Sequence, residues 1–228
     1  MTYSKIARAL AATAALTVVA CERADARPAL PDPVSTPSAS APAPLDTAVF
    51  AGGCFWGIEA VFRHVKGVES SVSGYAGGHT VNPSYEDVSS GGTGHAESVR
   101  VIYDPAVVAY GALLKVFFSV AHDPTELNRQ GPDVGTQYRS AIFTRSAAQV
   151  EATRAYIVQL GAAKVYRRSI VTEVAPLTAF YVAEAYHQNY LALHPTQPYI
   201  VYNDQPKLEA LRKEFAAIYR TDGIAAER

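Results

Sequence analysis

One thiol stands in the body of this chain. Cys54 lies in the stretch AVFAGGCFWGIEAVF, residues 48–62, and the other cysteine, Cys21, lies near the start. Two glycines precede Cys54, and Phe55 and Trp56, the latter the chain's single tryptophan, follow it. Free cysteines are often buried and inert, but the local pattern points to a working one. A short apolar run ends in glycines, and apolar residues then recur at helical spacing in Ile58, Val61, Phe62 and Val65. A strand therefore gives way to a helix at Cys54. At a helix N-terminus a thiol meets unpaired N–H groups and the positive end of the dipole, and both favour the thiolate. Gly52 and Gly53 leave the backbone open to a substrate, while Phe55 and Trp56 offer an apolar surface for a small group.

Polar partners come from elsewhere in the chain. In HAESVRVIYD, Glu97 falls on one strand face with Val99, Val101 and Tyr103. A carboxyl in such apolar surroundings holds its proton to a higher pH and can donate it. Tyr85 and Tyr138 supply phenolic hydroxyls, and Asp133 and Arg139 flank the segment GTQ. Each of these residues also fits a purely structural role.

The elements that must position these groups form a mixed pattern. TAVFAGG, HAESVRVIYD, YRSAIFT and SIVTEVA read as strands. GIEAVFRHV, the segment opened by Asp104-Pro105 and running through AVVAYGALLKVFFSVAH, SAAQVEATRAYIVQLGA capped by Ser146, TAFYVAEAYHQNYLAL and PKLEALRKEFAAIYR read as helices. Strands and helices do not alternate strictly. The predicted class is α+β, a two-layer α/β sandwich with a mixed sheet and packed helices. Three long segments read as functional loops, GYAGGHTVNPSYEDVSSGGTGH, HDPTELNRQGPDVGTQYRS and HPTQPYIVYNDQP.

The chain has 228 residues, 49% hydrophobic and 18% charged, with a formal net charge of -1. That suits one well-cored domain and gives no electrostatic footprint for nucleic acid. A basic start with Lys5 and Arg8, then an apolar run from Ala9 to Ala20, reads as an export signal over 1–20. VVAC before Cys21 resembles a bacterial lipoprotein box, while ADA at 24–26 is a small-x-small cleavage site. Residues 21–45, rich in Pro, Ala and Ser, read as a tether, 46–222 as the catalytic domain and 223–228 as a tail. The expected location is periplasmic, or on a membrane through a lipidated Cys21.

The motifs GGCFWGIEAVF, GYAGG, NPSYEDV, GHAESVRVIYDP, HDPTELNRQGPDVGTQYRSAIF and AEAYHQNYL, taken together, resemble the A-type peptide methionine sulfoxide reductases. The resemblance runs through most of residues 47–220. It implies a ferredoxin-like core and reduction of the S epimer of methionine sulfoxide, free or in proteins, in the repair of oxidised proteins. It implies Cys54 as nucleophile, Glu97 as proton donor, and Tyr85 and Tyr138 as hydrogen-bonding groups. Phe55 and Trp56 match the walls of an S-methyl pocket, with Asp133 and Tyr190 around the site. No metal or organic cofactor is implied. Many members carry resolving cysteines near the C-terminus, and here there is no cysteine after Cys54. The sulfenic acid left on Cys54 should therefore need an external thiol, a small thiol or a thioredoxin- or glutaredoxin-like partner, acting on a monomer.

Two other readings compete. A Cys-His hydrolase or acyltransferase would use Cys54 with His95 or His187 as base and Asp133 as orienter. A metal-binding module would draw on His79, His95, His122, His187 and His194, although no pair of them has a strong ligand spacing.

Overall fold

Along Asp46–Gly52, Ala48 and Phe50 enter one apolar cluster and Val49 and Ala51 another, so the sheet separates two apolar layers. The structure, a computed structural model, describes residues 29–34 and 44–224. The expected leader, Cys21 and most of the expected tether lie outside the described residues, as do residues 225–228 of the expected tail.

The sheet has six strands, β1 (Asp46–Gly52), β2 (Val68–Ala76), β3 (Ala96–Tyr103), β6 (Ser140–Thr144), β7 (Glu173–Pro176) and β8 (Phe180–Val182), in the order β7-β6-β1-β3-β2-β8. The four central strands are mutually antiparallel, β7 joins β6 in parallel, and β8 joins β2 antiparallel. The chain runs β1, helix α1 (Phe55–Arg63), β2, β3, helix α3 (Tyr110–Val116), β6. With β3 inserted between β1 and β2, this is the βαββαβ path of a ferredoxin-like core. The remaining elements are helices α2 (Tyr85–Ser89), α4 (Ala147–Ala162), α5 (Tyr190–Leu193) and α6 (Gln205–Glu214), and a small hairpin of β4 (Arg129–Gln130) and β5 (Asp133–Val134). The result is the expected α+β sandwich with a mixed sheet.

The main core lies between one sheet face and the helices. Phe50 stacks on Phe62 at 4.8 Å and on Phe117 at 4.9 Å, so β1, α1 and the turn after α3 are locked by three rings. Val99, Val101 and Tyr103 join this core from β3, as the alternation predicts. The opposite face holds a smaller cluster of Val49, Ala51, Ala76, Ala96, Ala141 and Phe143, covered by Leu177 and Phe180.

Several sequence expectations are corrected. TAFYVAEAYHQNYLAL is not one helix. Phe180–Val182 pairs with β2 as an edge strand, and Gln188 holds the next turn to β2 through both the N–H and the carbonyl of Ser73. Asn189 then takes a left-handed backbone, φ 54°, before the short helix α5. Asp104 caps only a turn, with its Oδ1 accepting from Ala106 N, and the helix starts at Tyr110. The first long loop contains α2, whose N-cap Ser84 forms a reciprocal capping box with Asp87. The third folds as a π-helical turn, Ile200–Asp204. VESSVSGYA, not recognised from its weak pattern, is the strand β2. Ser146 does cap α4, accepting from Gln149 N.

Part of the expected tether is docked. Leu30 is buried in the main core cluster, the Tyr156 hydroxyl donates to Pro31 O, and Lys115 pairs with Asp32 at 2.7 Å. A proline-rich run has little backbone entropy left to lose, so a single apolar side chain and a few hydrogen bonds suffice to fix it. The start of the expected tail is fixed too, since Ile224 N donates to Arg63 O.

Candidate active site

The site is built at the start of α1. Gly53 adopts φ +96°, a left-handed turn that swings the chain from β1 into the helix, and Cys54 occupies the N-cap position. Phe55 N, one of the unpaired donors of the first turn, donates to Glu97 Oε2 at 3.1 Å. Glu97 reaches that donor from β3, where it pairs with Tyr75 of β2 and is 2% exposed. One hydrogen bond thus ties the thiol-bearing turn to the carboxyl. Burial is the main reason that the Glu97 carboxyl is pushed up to about 8, with Asp133 and Asp204 adding to it and the Phe55 N–H opposing.

The thiol departs from expectation. The helix start was expected to favour the thiolate, yet Cys54 is raised well above an ordinary cysteine. Burial is the largest cause, and Glu97 and Asp204 add negative potential. The Trp56 N–H and Lys207 oppose without prevailing. Desolvation beside two carboxylates outweighs a single helix turn.

Aromatic rings close the surroundings. Trp56, half-buried, stacks on Tyr190 at 3.8 Å and meets the edge of Tyr199 at 5.9 Å. Its Nε1 donates to His187 Nδ1 at 3.2 Å, which fixes the rotation of the indole. Phe55 is almost fully buried and packs against Tyr75 and His187. Tyr85 lies 4.4 Å from His187, and its N–H donates to Glu184. Tyr85 and Tyr138 are both raised, first by burial, and both feel the charges of Glu97, Cys54 and Asp133. Asp133 Oδ2 accepts from the Tyr199 hydroxyl. The eight residues singled out from the sequence, Cys54, Phe55, Trp56, Tyr85, Glu97, Asp133, Tyr138 and Tyr190, therefore gather around one turn. Arg139 does not join them. It bonds Glu173 and Thr136 O and lies over Phe143 on the far face.

Three further groups were not recognised as belonging here. Tyr199, Asp204 and Lys207 come from the loop that folds as a π-helical turn and from α6. For two of them the signal was Gly57 of CFWG, since Asp204 and Lys207 occupy the space that a side chain there would fill. The histidines of the competing readings have other tasks. His95 uses both ring nitrogens to hold Gly78 N and Thr80 O, and His122 sits between Ser140 Oγ and Phe117 O. His187 accepts from Trp56 and is shifted by burial toward the neutral form.

The family model for peptide methionine sulfoxide reductase matches residues 46–219. The chain belongs to this family. A peptide methionine sulfoxide reductase of Mesorhizobium japonicum is 57% identical over 174 residues, covering 76% of this chain and 89% of its own. Among solved structures, the reduced form of Mxr1 from Saccharomyces cerevisiae superposes with a TM-score of 0.62 at 34% identity, over 72% of this chain and 94% of that one. Methionine sulfoxide reductase A of Corynebacterium diphtheriae gives 0.59 at 36% identity, over 74% and 90%. The protein is thus an oxidoreductase that reduces methionine sulfoxide and serves protein repair, and the hydrolase and metal-binding readings are not favoured.

Proposed function

We propose that Cys54 is the nucleophile of this reduction and Glu97 its proton donor. The observation that carries the reading is the bond from Phe55 N to Glu97 Oε2, which holds a protonatable carboxyl against the turn that bears the thiol. Cys54 sulfur attacks the sulfoxide sulfur of the S epimer and forms a sulfur–sulfur bond, while Glu97 gives its proton to the oxygen and takes up the proton of the thiol. The sulfur–sulfur bond and the substrate's sulfur–oxygen bond then break as the hydroxyl passes to Cys54. The products are methionine and a Cys54 sulfenic acid, so the sulfoxide is reduced and the cysteine oxidised.

Tyr85 and Tyr138 hydrogen-bond the oxygen as it gains charge. Trp56, backed by Phe55 and stacked on Tyr190, takes the S-methyl group, and Asp133 holds Tyr199 at the rim. An external thiol of thioredoxin or glutaredoxin type, or a small thiol, attacks the sulfenic sulfur and releases water, because no second cysteine follows Cys54. The enzyme acts as a monomer with no metal or organic cofactor. It is exported to the periplasm, anchored by lipid on Cys21 or released by cleavage after Ala26.

Purified Cys54→Ser enzyme, supplied with dithiothreitol and S-epimer sulfoxide, should show no turnover, since a serine hydroxyl is scarcely ionised at neutral pH. Wild type should leave the R epimer untouched. Substantial turnover by the variant, or equal rates on the two epimers, would overturn the assignment.

A further inference from the structure

Gly57, in the first turn of α1, lacks a side chain because another group occupies its place. A Cβ there would lie 2.2 Å from Asp204 Oδ1 and 3.0 Å from Lys207 Nζ. Asp204 ends the π-helical turn at the N-cap position of α6, where its side chain makes no capping hydrogen bond, and it is 0% exposed. Its Oδ1 accepts from Lys207 Nζ at 3.0 Å, while Oδ2 is buried with no hydrogen-bond partner. The Lys207 side chain retains 17% exposure.

A buried carboxylate with one oxygen unpaired is costly, and capping does not account for it, because Asp204 gives the start of α6 no side-chain hydrogen bond. The pair is also incomplete in a particular place. It presses on the turn that carries Cys54, three residues away in sequence.

We propose that Asp204 and Lys207 form a charge-setting pair for the Cys54–Glu97 centre, a positioning role resting on Cys54 being the nucleophile. The groups facing the pair are Cys54 from the start of α1, Glu97 from β3, Asp133 from β5 and Tyr199 from the π-helical turn. The Asp204 carboxylate raises both Cys54 and Glu97, and the Lys207 ammonium lowers Cys54. Asp204 is itself raised, by burial first and by Asp133, against Lys207.

The two charges therefore act on the thiol with opposite sign. Asp204 keeps the protons on Cys54 and Glu97 while the site is empty, and Lys207 limits how firmly they are kept. The protons so retained supply the hydrogen of the hydroxyl that passes to Cys54. An idle thiolate, open to other electrophiles, is thereby avoided.

The test uses the full chain and reads alkylation of Cys54 by iodoacetamide against pH, resolved by peptide mass spectrometry so that Cys21 is counted separately. Asp204→Asn should move the Cys54 profile to lower pH by about half a unit or more, about a threefold faster reaction at a fixed pH below the thiol pKa. The alkaline limb of its sulfoxide-reduction profile should move the same way, because Glu97 loses the same neighbour. Lys207→Gln, at a partly exposed side chain, should shift the alkylation profile to higher pH. The double variant should return toward wild type.

Single variants that shift in the same direction would overturn the proposal. So would an Asp204→Asn enzyme whose profile stays in place while activity falls uniformly. If Asp204→Asn does not fold, the upward shift in Lys207→Gln still supports the pair, and its absence still overturns it. Alkylation needs no sulfoxide reduction, so a failure of the Cys54 assignment would be seen separately in the turnover of Cys54→Ser.

Discussion

Replacing Glu97 by Gln isolates the proton from the shape. Gln keeps the length of the side chain and an oxygen to accept from Phe55 N, so the turn at Cys54 should stay in place. With Glu97 near 8, about nine-tenths of the wild-type enzyme carries the proton at pH 7. The variant loses that donor entirely. General acid catalysis contributes about 10²–10⁴-fold, equivalent to about 2.7–5.5 kcal/mol of barrier. The assay is the single-turnover rate of sulfoxide reduction between pH 6 and 9, without recycling thiol. Wild type should lose rate above about pH 8 as Glu97 ionises, and Glu97→Gln should lack that limb while remaining slow throughout.

Stability supplies an independent sign. A carboxyl raised in the folded state stabilises the fold fully below its unfolded pKa, near 4.5, and loses that contribution as pH rises through about 8. Glu97→Gln has no such loss, so its stability relative to wild type should improve steadily from pH 5 to pH 8. A single-turnover rate within twofold of wild type, or an alkaline limb that survives the substitution, would remove Glu97 from its assigned role.

Trp56→Ala takes away the wall stacked on Tyr190 and should lower kcat/KM about tenfold or more, partly through a higher KM, equivalent to at least about 1.4 kcal/mol of lost apolar contact. Steady-state kinetics check this, and a loss of thermal stability with unchanged kinetics would make Trp56 a packing residue only. Leu30→Ser should release the docked segment 29–34 and destabilise the fold by about 1.5–3 kcal/mol, the contribution of one buried leucine. A melting temperature equal to that of wild type would show that this docking contributes nothing.

The sequence by itself determined the strand-to-helix turn at Cys54, because apolar periodicity and paired glycines are local signals. It placed Glu97 on the core-facing side of its strand for the same reason, a period of two beside Val99 and Val101. It also determined the family, since ordered motifs are carried by residue identity alone. It misread the stretch from Thr178 to Leu193 as a helix. What decides that stretch is nonlocal, an open edge of β2 that takes up Phe180–Val182 and a Gln188 amide that matches Ser73. The docking of Leu30 was hidden likewise, because a proline-rich run looks the same whether or not a groove exists to receive it. The ionisation of Cys54 was decided only by tertiary structure. Sequence shows the helix start that favours the thiolate, whereas the burial and the carboxylates of Glu97 and Asp204 that disfavour it come from segments 43 and 150 residues away. Desolvation and Coulomb interactions depend on distance in space, and for those residues the chain order says nothing about that distance.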